Sequence, residues 1–504
     1  MNVIKVFGPP GTGKTTYLLQ RVEEMLEKGV LPQRIGYFAF TRKASTEAMD
    51  RALKKFPDKT RKDFTYFRTL HSLAYLRMGV HKNQMATEAD YRLFSTETGL
   101  DLTVGADEET GVATASHPVL NLINLARVRC ISPIQQYNES DLDITAAHFM
   151  YIYEKYMKFM GENNLLDFTD LLEMFANADQ DYYPSLEVVM VDETQDLSPL
   201  QWKIVHRLAE TAAVTYVAGD DDQAIYSFAG ADVTHLLSFP GSDTVLQQSY
   251  RVPRLVHQLG DKIVKRIRTR VEKDWLPSSH DGRIIMHSSV DSIDFSQKGS
   301  WMALSAANYM LDDVAELLRA LGILYARNNV RSIPESVVDA VYAWEHLRSG
   351  KDVTYDSMVA LWKYLDPTAI QHGFKKFKGS EDGIFRYEGA VAALGLAASF
   401  PKEAPWYEAL SKIPDRHETY IRAALRRGQN LRGAPRHVLS TIHGAKGGEA
   451  DNVVVLTDLS KKFMNEYYSR PDNINRLLYV AVTRCRDILH IVQPKDQANC
   501  FYLP

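Results

Sequence analysis

The residues Gly8-Pro9-Pro10-Gly11-Thr12-Gly13-Lys14-Thr15 match the pattern G-x-x-x-x-G-K-[ST] at every fixed position. Their chemistry is that of a polyphosphate cradle. Gly8, Gly11 and Gly13 carry no side chains, so backbone N–H groups can wrap an anion. Lys14 can neutralise β- and γ-phosphates, and the Thr15 hydroxyl can hold Mg²⁺. A second set has complementary chemistry: Asp192 and Glu193 follow the apolar run Glu187–Val191. Asp192 is a candidate metal holder through water, and Glu193 a candidate for orienting or deprotonating an attacking water. The third set, Gly219–Phe228, places three aspartates before Gln223, a candidate γ-phosphate sensor, and then Tyr226 and Phe228, two flat rings for base stacking. Each set taken singly has an ordinary alternative: a glycine turn, a solvated acidic turn, or a packed aromatic pair.

Such residues work only if strands and helices hold them. Val3–Phe7 reads as a strand, and Thr16–Lys28 as a helix with Tyr17, Leu18, Val22, Met25 and Leu26 at helical spacing. The helix N-terminus adds partial positive charge at the glycine loop. Further strands are expected at Ile35–Phe40, Glu187–Val191 and Val214–Ala218, and then at Arg283–His287, Trp301–Ser305, Val438–Ile442, Val453–Thr457 and Ile488–Val492. The Glu187–Val191 run is nearly continuous in apolar residues, as in a parallel strand covered on both faces. From about Met78 to Asn164 the strand signal disappears, and helical stretches flank an acidic, loop-like segment, Ala106–Gly111. A second mostly helical stretch covers about Asn328–Arg436. The expected fold class is α/β: two parallel-sheet domains, each interrupted by a mostly helical insertion. The expected boundaries are 1–77 with 165–250 for the first sheet domain and 78–164 for its insertion. Those of the second are 251–327 with 437–504, and 328–436 for its insertion.

Composition narrows the classes. At 504 residues the chain exceeds what one core serves. The formal net charge of −4 leaves the surface as a whole unattractive to nucleic acid, so any nucleic-acid site must be a local basic path. One basic run, Arg422, Arg426, Arg427, Arg432 and Arg436, reads either as a phosphate contact or as a solvated helix face. Cys130, Cys485 and Cys500 are widely spaced and give neither a metal pattern nor a disulfide framework, which fits a reducing compartment. Met1–Lys5 leads straight into the first strand without a signal peptide, and no apolar run approaches the ~20 residues that span a bilayer. A cytoplasmic protein without membrane contact is expected.

The order of the blocks is specific. The chain carries Phe40-Thr41-Arg42-Lys43-Ala44, Thr69-Leu70-His71-Ser72, Asp167–Leu172, Asp192–Asp196, Gly219–Phe228 and Gln248-Ser249-Tyr250-Arg251. In its second half it has Thr441–Glu449 and Leu478–Arg484. Together these resemble the UvrD/Rep family of superfamily 1 DNA helicases, with motifs over residues 8–484.

The resemblance implies two RecA-like domains that hydrolyse ATP–Mg²⁺ between them to drive 3′→5′ movement on single-stranded DNA and unwind duplex. Gly8, Pro9, Pro10, Gly11, Thr12, Gly13, Lys14, Thr15 and Thr16 would line the phosphates, with Thr15 and Asp192 on the metal. Glu193 and Gln223 would serve hydrolysis. Tyr250 would stack on the adenine, Arg251 would reach the γ-phosphate, and Arg484 would supply a second arginine contact from the other sheet domain. Glu449 would bind the ribose. Phe40, Thr41, His71, Tyr226, Phe228, Thr441 and His443 would line the DNA path. The implied partners are single-stranded DNA and single-strand/duplex junctions, with replication or recombination proteins behind them; a monomer is expected, and the sequence does not fix the oligomeric state.

The chain also departs from the family's pattern. It begins seven residues before Gly8, so the family's leading glutamine-containing segment that reads the adenine edge is not in it, and adenine recognition is expected to rest on Tyr250. Phe228 stands where the family usually has Trp, and Ala229 where it has Arg. The second insertion is short for the family. Two other activities stay open at this point. One is a DNA-stimulated ATPase that remodels protein–DNA complexes or anneals strands with little unwinding. The other is a small-molecule phosphotransferase, which needs no second α/β domain.

Overall fold

The computed structural model describes residues 2–106, 113–372, 374, 377, 383–397 and 402–504. The acidic stretch at 107–111 lies outside the described residues. The chain divides into two compact units, Met1–Asp281 with Asn465–Thr483 and Leu503–Pro504, and Gly282–Met464 with Arg484–Tyr502.

The first unit contains strands β1 (Val3–Phe7), β2 (Ile35–Ala39), β3 (Phe67–Thr69), β4 (Thr103–Ala106), β5 (Ala113–Ser116), β6 (Val188–Val191), β7 (Val214–Gly219) and β8 (Ser242–Val245). Six of them form a sheet in the order β3-β2-β6-β7-β1-β8, parallel at every pairing. The apolar runs become fully buried central strands, with hydrophobic clusters on both faces. Register sets the function-bearing edge: Phe7 lies opposite Gly219, Val191 opposite Val217, and Phe38 opposite Val191. Gly8, Phe40, Asp192 and Asp220 therefore leave the sheet at its carboxyl edge, where α/β folds hold ligands.

The helix after β1 begins at Lys14 rather than Thr16, because Gly13 adopts the left-handed conformation (φ 80°) that caps it. It buries Leu18, Leu19 and Val22. Thr41 and Thr69 cap the helices Arg42–Lys55 and Leu70–Arg77 through their side-chain oxygens.

The region 78–164 is mostly helical and has its own core, including Phe94, Ile123, Phe149 and Tyr156. The absence of strands expected there is corrected by an antiparallel hairpin, β4 with β5. Thr-Val-Gly-Ala and Ala-Thr-Ala-Ser are too short and too weakly apolar to show the alternation of a half-buried strand. Arg127 of helix Pro118–Val128 ties this region to the rest of the unit. Its buried guanidinium meets Asp167 at 2.7 Å and Glu173 at 2.7 Å, together with Asp170, while Tyr156 donates to Asp167 at 2.7 Å. Burial opposes the arginine's charge, and the three carboxylates outweigh it and raise its pKa.

The second unit adds β9 (Arg283–His287), β10 (Trp301–Ser305), β11 (Tyr325–Arg327), β12 (Val330–Arg331), β13 (Val353–Thr354), β14 (Ile384–Phe385), β15 (His437–Thr441), β16 (Ala450–Leu456) and β17 (Cys485–Val492). Its sheet runs β12-β11-β15-β10-β16-β17-β9 and is parallel except at the β11/β12 hairpin. Among the described residues, the helical stretch that follows β12 shares the core of the sheet: Trp344, Leu347, Tyr420 and Ile421 join Trp301, Leu439 and Val454 in one cluster. Helix Pro471–Val482 belongs to the first unit and packs on helix Arg254–Val264, with Gly260 against the Tyr479 ring. Among the described residues no helix is long and apolar enough to cross a membrane.

Candidate active site

The phosphate loop requires its glycines for close approach. A Cβ on Gly8 would lie 2.1 Å from Lys14 Cγ, and one on Gly11, already at φ +75°, would lie 2.4 Å from Arg251 Cβ. Lys14 folds back over Gly8, its Nζ donating to the Gly8 carbonyl at 3.1 Å and lying 3.7 Å from Glu193 Oε1. Thr12 donates to the Pro9 carbonyl at 2.8 Å, which stiffens the turn. Thr16 lies in the first turn of the helix that follows.

Asp192 is buried, and its Oδ2 accepts from Thr15 Oγ1 at 3.0 Å and from the Tyr37 hydroxyl at 2.7 Å. Burial raises its pKa and the adjacent Glu193 adds to this, while Lys14, Tyr37 and Thr15 oppose. A hydroxyl and a carboxylate already in contact, with a second carboxylate beside them, form the hard-oxygen donor set that suits Mg²⁺ completed by water and phosphate. These residues fit the ion. Glu193 sits in the left-handed region at φ 55°, a conformation that costs a non-glycine residue on the order of 1 kcal/mol. Asp192 Oδ1 accepts from the Glu193 N–H at 2.9 Å, and Gln195 Nε2 donates to the Glu193 carboxylate.

The loop after β7 departs from a solvated acidic turn. Asp220, Asp221 and Asp222 are all buried. Their carboxylates cluster closely enough to suit a cation, and an ammonium already sits among them. Lys273 Nζ is 3.3 Å from Asp220 and 2.8 Å from Asp222, and it also bonds Asp221. Burial opposes the lysine's charge, and the three carboxylates more than restore it. Gln223 donates from Nε2 to Asp220 Oδ2 at 2.7 Å. Downstream, Phe40 stacks on Tyr226 with centroids 5.6 Å apart, and Tyr226 meets Phe228 at 5.9 Å. Phe228 is 61 % exposed, so this three-ring ladder ends in an open face.

The Gln248–Arg251 block is bound to the phosphate loop. The Tyr250 N–H donates to the Gly11 carbonyl at 2.9 Å, and buried Ser249 donates to the Pro10 carbonyl at 2.7 Å while accepting from the N–H groups of Arg251 and Val252. The Tyr250 ring is 78 % exposed beside the loop. Elsewhere in the unit, Thr41 accepts from the Ala44 N–H at 3.2 Å, and His71 meets the Phe168 ring edge-on at 5.8 Å.

In the second unit the remaining candidates gather around the segment between β15 and β16. Thr441 Oγ1 accepts from the Gly444 N–H at 3.1 Å, and His443 stacks on Phe463 at 6.2 Å. Glu449 pairs with Arg486 at 3.2 Å. Arg484 is 2 % exposed, and its Nη1 lies 3.4 Å from the Gly448 carbonyl it donates to.

Tyr37, Ser249, Gln195 and Lys273 were not assigned roles by sequence reasoning. Tyr37 and Ser249 read as ordinary strand and loop residues. Lys273 left one usable signal: three consecutive aspartates after a buried strand require cations if the loop is enclosed. The basic run of the second insertion is largely committed to the fold. Arg422 pairs with Glu418, Arg427 donates to the Leu321 carbonyl, Arg432 pairs with Asp339, and Arg436 donates to the Gln297 and Gly299 carbonyls.

Residues 1–242 match the UvrD/REP helicase N-terminal domain, and residues 437–492 match the UvrD-like helicase C-terminal domain. A Mycoplasma pneumoniae protein called "Probable DNA helicase" is 25% identical over 99% of this chain and 82% of its own length. The ATP-dependent DNA helicases PcrA of Leuconostoc citreum and Bacillus subtilis are each 25% identical, over 66% and 54% of this chain. The chain spans 46% and 39% of those two relatives.

Proposed function

From the premise that the chain belongs to the UvrD-like family of DNA helicases, we propose that it hydrolyses ATP with Mg²⁺ to translocate 3′→5′ on single-stranded DNA and unwind duplex. One observation carries the reading: a phosphate loop bonded to Asp192 and to the Ser249–Arg251 block lies on the same sheet edge as an open ladder of aromatic rings. Thr15 and Asp192 would hold the Mg²⁺, which supplies charge neutralisation on the phosphates. Lys14 binds the β- and γ-phosphates. Glu193, whose carboxylate lies 3.7 Å from Lys14 Nζ and accepts from Gln195, takes the proton of the attacking water. Gln223 and Arg251 contact the γ-phosphate, and Arg484 is assigned the second arginine contact on the transferring phosphoryl. Tyr250 stacks on the base and Glu449 binds the ribose once Arg486 yields it. Phe40, Tyr226 and Phe228 grip bases by stacking, and Thr41, His71, Thr441 and His443 line the strand.

The structural commitment of the Arg422–Arg436 run favours a second reading, in which duplex is poorly held and the ATPase mainly displaces bound protein. Strand displacement on 3′-tailed and 5′-tailed duplexes, with ATP and with GTP, separates the two. Displacement from the 3′-tailed substrate alone is expected. No displacement from either, with DNA-stimulated ATPase intact, would leave the remodelling activity.

A further inference from the structure

The buried lysine in the aspartate cluster lies outside every motif that carries the nucleotide chemistry, yet it is bonded to one of them, the loop after β7. Its ammonium reaches all three carboxylates of Asp220–Asp222 and is 1 % exposed. It also lies 5.8 Å from the centroid of the Phe7 ring, the residue just before the phosphate loop. The segment around it is fastened to the same loop. Arg270 grips Asp222 with two hydrogen bonds of 2.7 and 2.8 Å, and the Val271 N–H donates to Asp221 Oδ2 at 2.8 Å. Arg476 closes the far side, its Nε donating to the Asp221 carbonyl at 2.9 Å. From this post the chain continues in two directions. Asp220 holds the Gln223 amide, and three residues beyond Gln223 the ring ladder begins at Tyr226. A short helical turn, Asp221–Gln223, is all that separates the ion cluster from both.

We propose that Lys273 is a positioning residue that locks the Asp220–Phe228 loop as one rigid piece, so that the state of the nucleotide at Gln223 is carried to the base-stacking rings. The proposal rests on the reading above for what the loop transmits, but not for the lock itself. Three carboxylates enclosed together cannot stay ionised without the cations around them, and removing one partner of a buried cluster leaves uncompensated charge. The loop must then reopen to water, and Gln223 and Tyr226 lose their fixed relation. The phosphate loop keeps its own ties to Asp192 and Ser249, so nucleotide binding survives, and basal turnover, which also uses Gln223, falls less than the DNA-stimulated rate.

The test compares the unmodified protein with Lys273→Met and with the charge-balanced Lys273→Met/Asp221→Asn pair. In the pair, the new amide oxygen can still accept from the Val271 N–H, and one negative charge is gone. Lys273→Arg serves as the conservative rescue. Hydrogen exchange by mass spectrometry is expected to rise in Lys273→Met over residues 219–230 and not over 8–18. It is expected to recover in part in the double variant and fully in Lys273→Arg. The DNA-stimulated rate of ATP turnover is expected to fall by about tenfold or more in Lys273→Met, and basal turnover, which loses only the fixed placement of Gln223, by a clearly smaller factor. Unchanged exchange over 219–230 overturns the lock. Basal and stimulated rates falling by the same factor overturn the transmission role. If Lys273→Met does not fold, the double variant decides alone, since the lock predicts exchange there above that of Lys273→Arg and equal exchange overturns it. If the unmodified protein shows no stimulation by DNA, the helicase reading falls, while the exchange result still decides the lock.

Discussion

At the carboxyl ends of β1, β2, β6 and β7 the first unit collects Gly8–Thr15, Phe40, Asp192, Glu193 and the aspartate cluster, whereas the second unit divides its candidates between both ends of its sheet. Thr441 ends β15 opposite Ser305, the last residue of β10. Glu449 and Arg484 directly precede β16 and β17, at the amino ends of parallel strands. The segment between β15 and β16 returns to the amino end of the sheet, and a Cβ on Gly448 would lie 3.0 Å from Cε of Met302, the second residue of β10. The two sheets also differ in what they bury. The first encloses charge: Asp192, Asp220–Asp222 and Lys273. The second encloses mainly neutral rings, with Trp301 stacked between His437 and His490 at 5.8 and 5.1 Å, and among the described residues its buried charge is that of Arg484 just before β17. Buried charge stores a strong, preorganised field at one edge, which is what phosphoryl transfer needs. Neutral stacking gives a stiff frame from which a few side chains project.

The largest break in this contrast comes from the first edge. Lys14→Ala removes a cation that bonds the loop and faces Glu193. ATP turnover is expected to fall by at least ~10²–10³-fold, the usual cost of deleting a preorganised contact to developing charge. Binding of a fluorescent single-stranded oligonucleotide should stay measurable, because stacking of bases on the ring ladder does not draw on Lys14. Persistent hydrolysis would mean that the charged edge is not the chemical one.

The second sheet has its own signature in pH. Burial pushes both His437 and His490 down to about 4, against 6.5 for a free histidine, with His287 adding to the effect on His490. Between those values the unfolded chain binds protons that the folded chain refuses, so this contribution to stability is complete above about pH 6.5 and is lost as pH falls toward 4. The loss is expected on the order of 3 kcal/mol per histidine, read as a falling melting temperature for the second unit across that window. A His437→Phe/His490→Phe variant should start less stable at pH 7, because the Phe295 carbonyl loses the His437 hydrogen bond, but should show a shallower slope. Equal slopes would shift the pH dependence to the carboxylates of the first unit and erase the distinction between the sheets.

The elements legible in the sequence were those whose signal is local. Val3–Phe7, the glycine loop and Glu187–Val191 announce themselves through apolar runs and fixed spacing, and both sheets follow from them. The short strands β3, β8, β11 and β12, at or next to a sheet edge, carry only two to four residues each and little apolar pattern, so they emerge only through pairing with their neighbours. The same division holds at the site. Lys14, Thr15, Asp192 and Glu193 stand in a contiguous motif or beside an obvious strand. Tyr37 meets Asp192 from 155 residues away, and Lys273 meets Asp221 from 52. Those relations depend on strand order and on where a loop returns, which no short window of residues encodes. Asp220–Asp222 resembled a solvated acidic loop because burial is a property of the surroundings and not of three adjacent aspartates.

The smallest effect tests the open end of the ring ladder. Phe228 meets Tyr226 at 5.9 Å and is 61 % exposed, so its ring offers an open face to a base. Phe228→Ala should leave the melting temperature and the basal ATPase nearly unchanged, since Gln223 keeps its bond to Asp220. Translocation along single-stranded DNA, followed by displacement of a fluorophore from the strand's end, should weaken by an amount equivalent to ~1–3 kcal/mol, the worth of one base–aromatic stack. Phe228→Trp should keep or raise the rate, because a larger ring preserves the stack. If alanine lowers basal turnover as much as translocation, the ring serves packing around the ion cluster, and the first edge holds chemistry without a base grip.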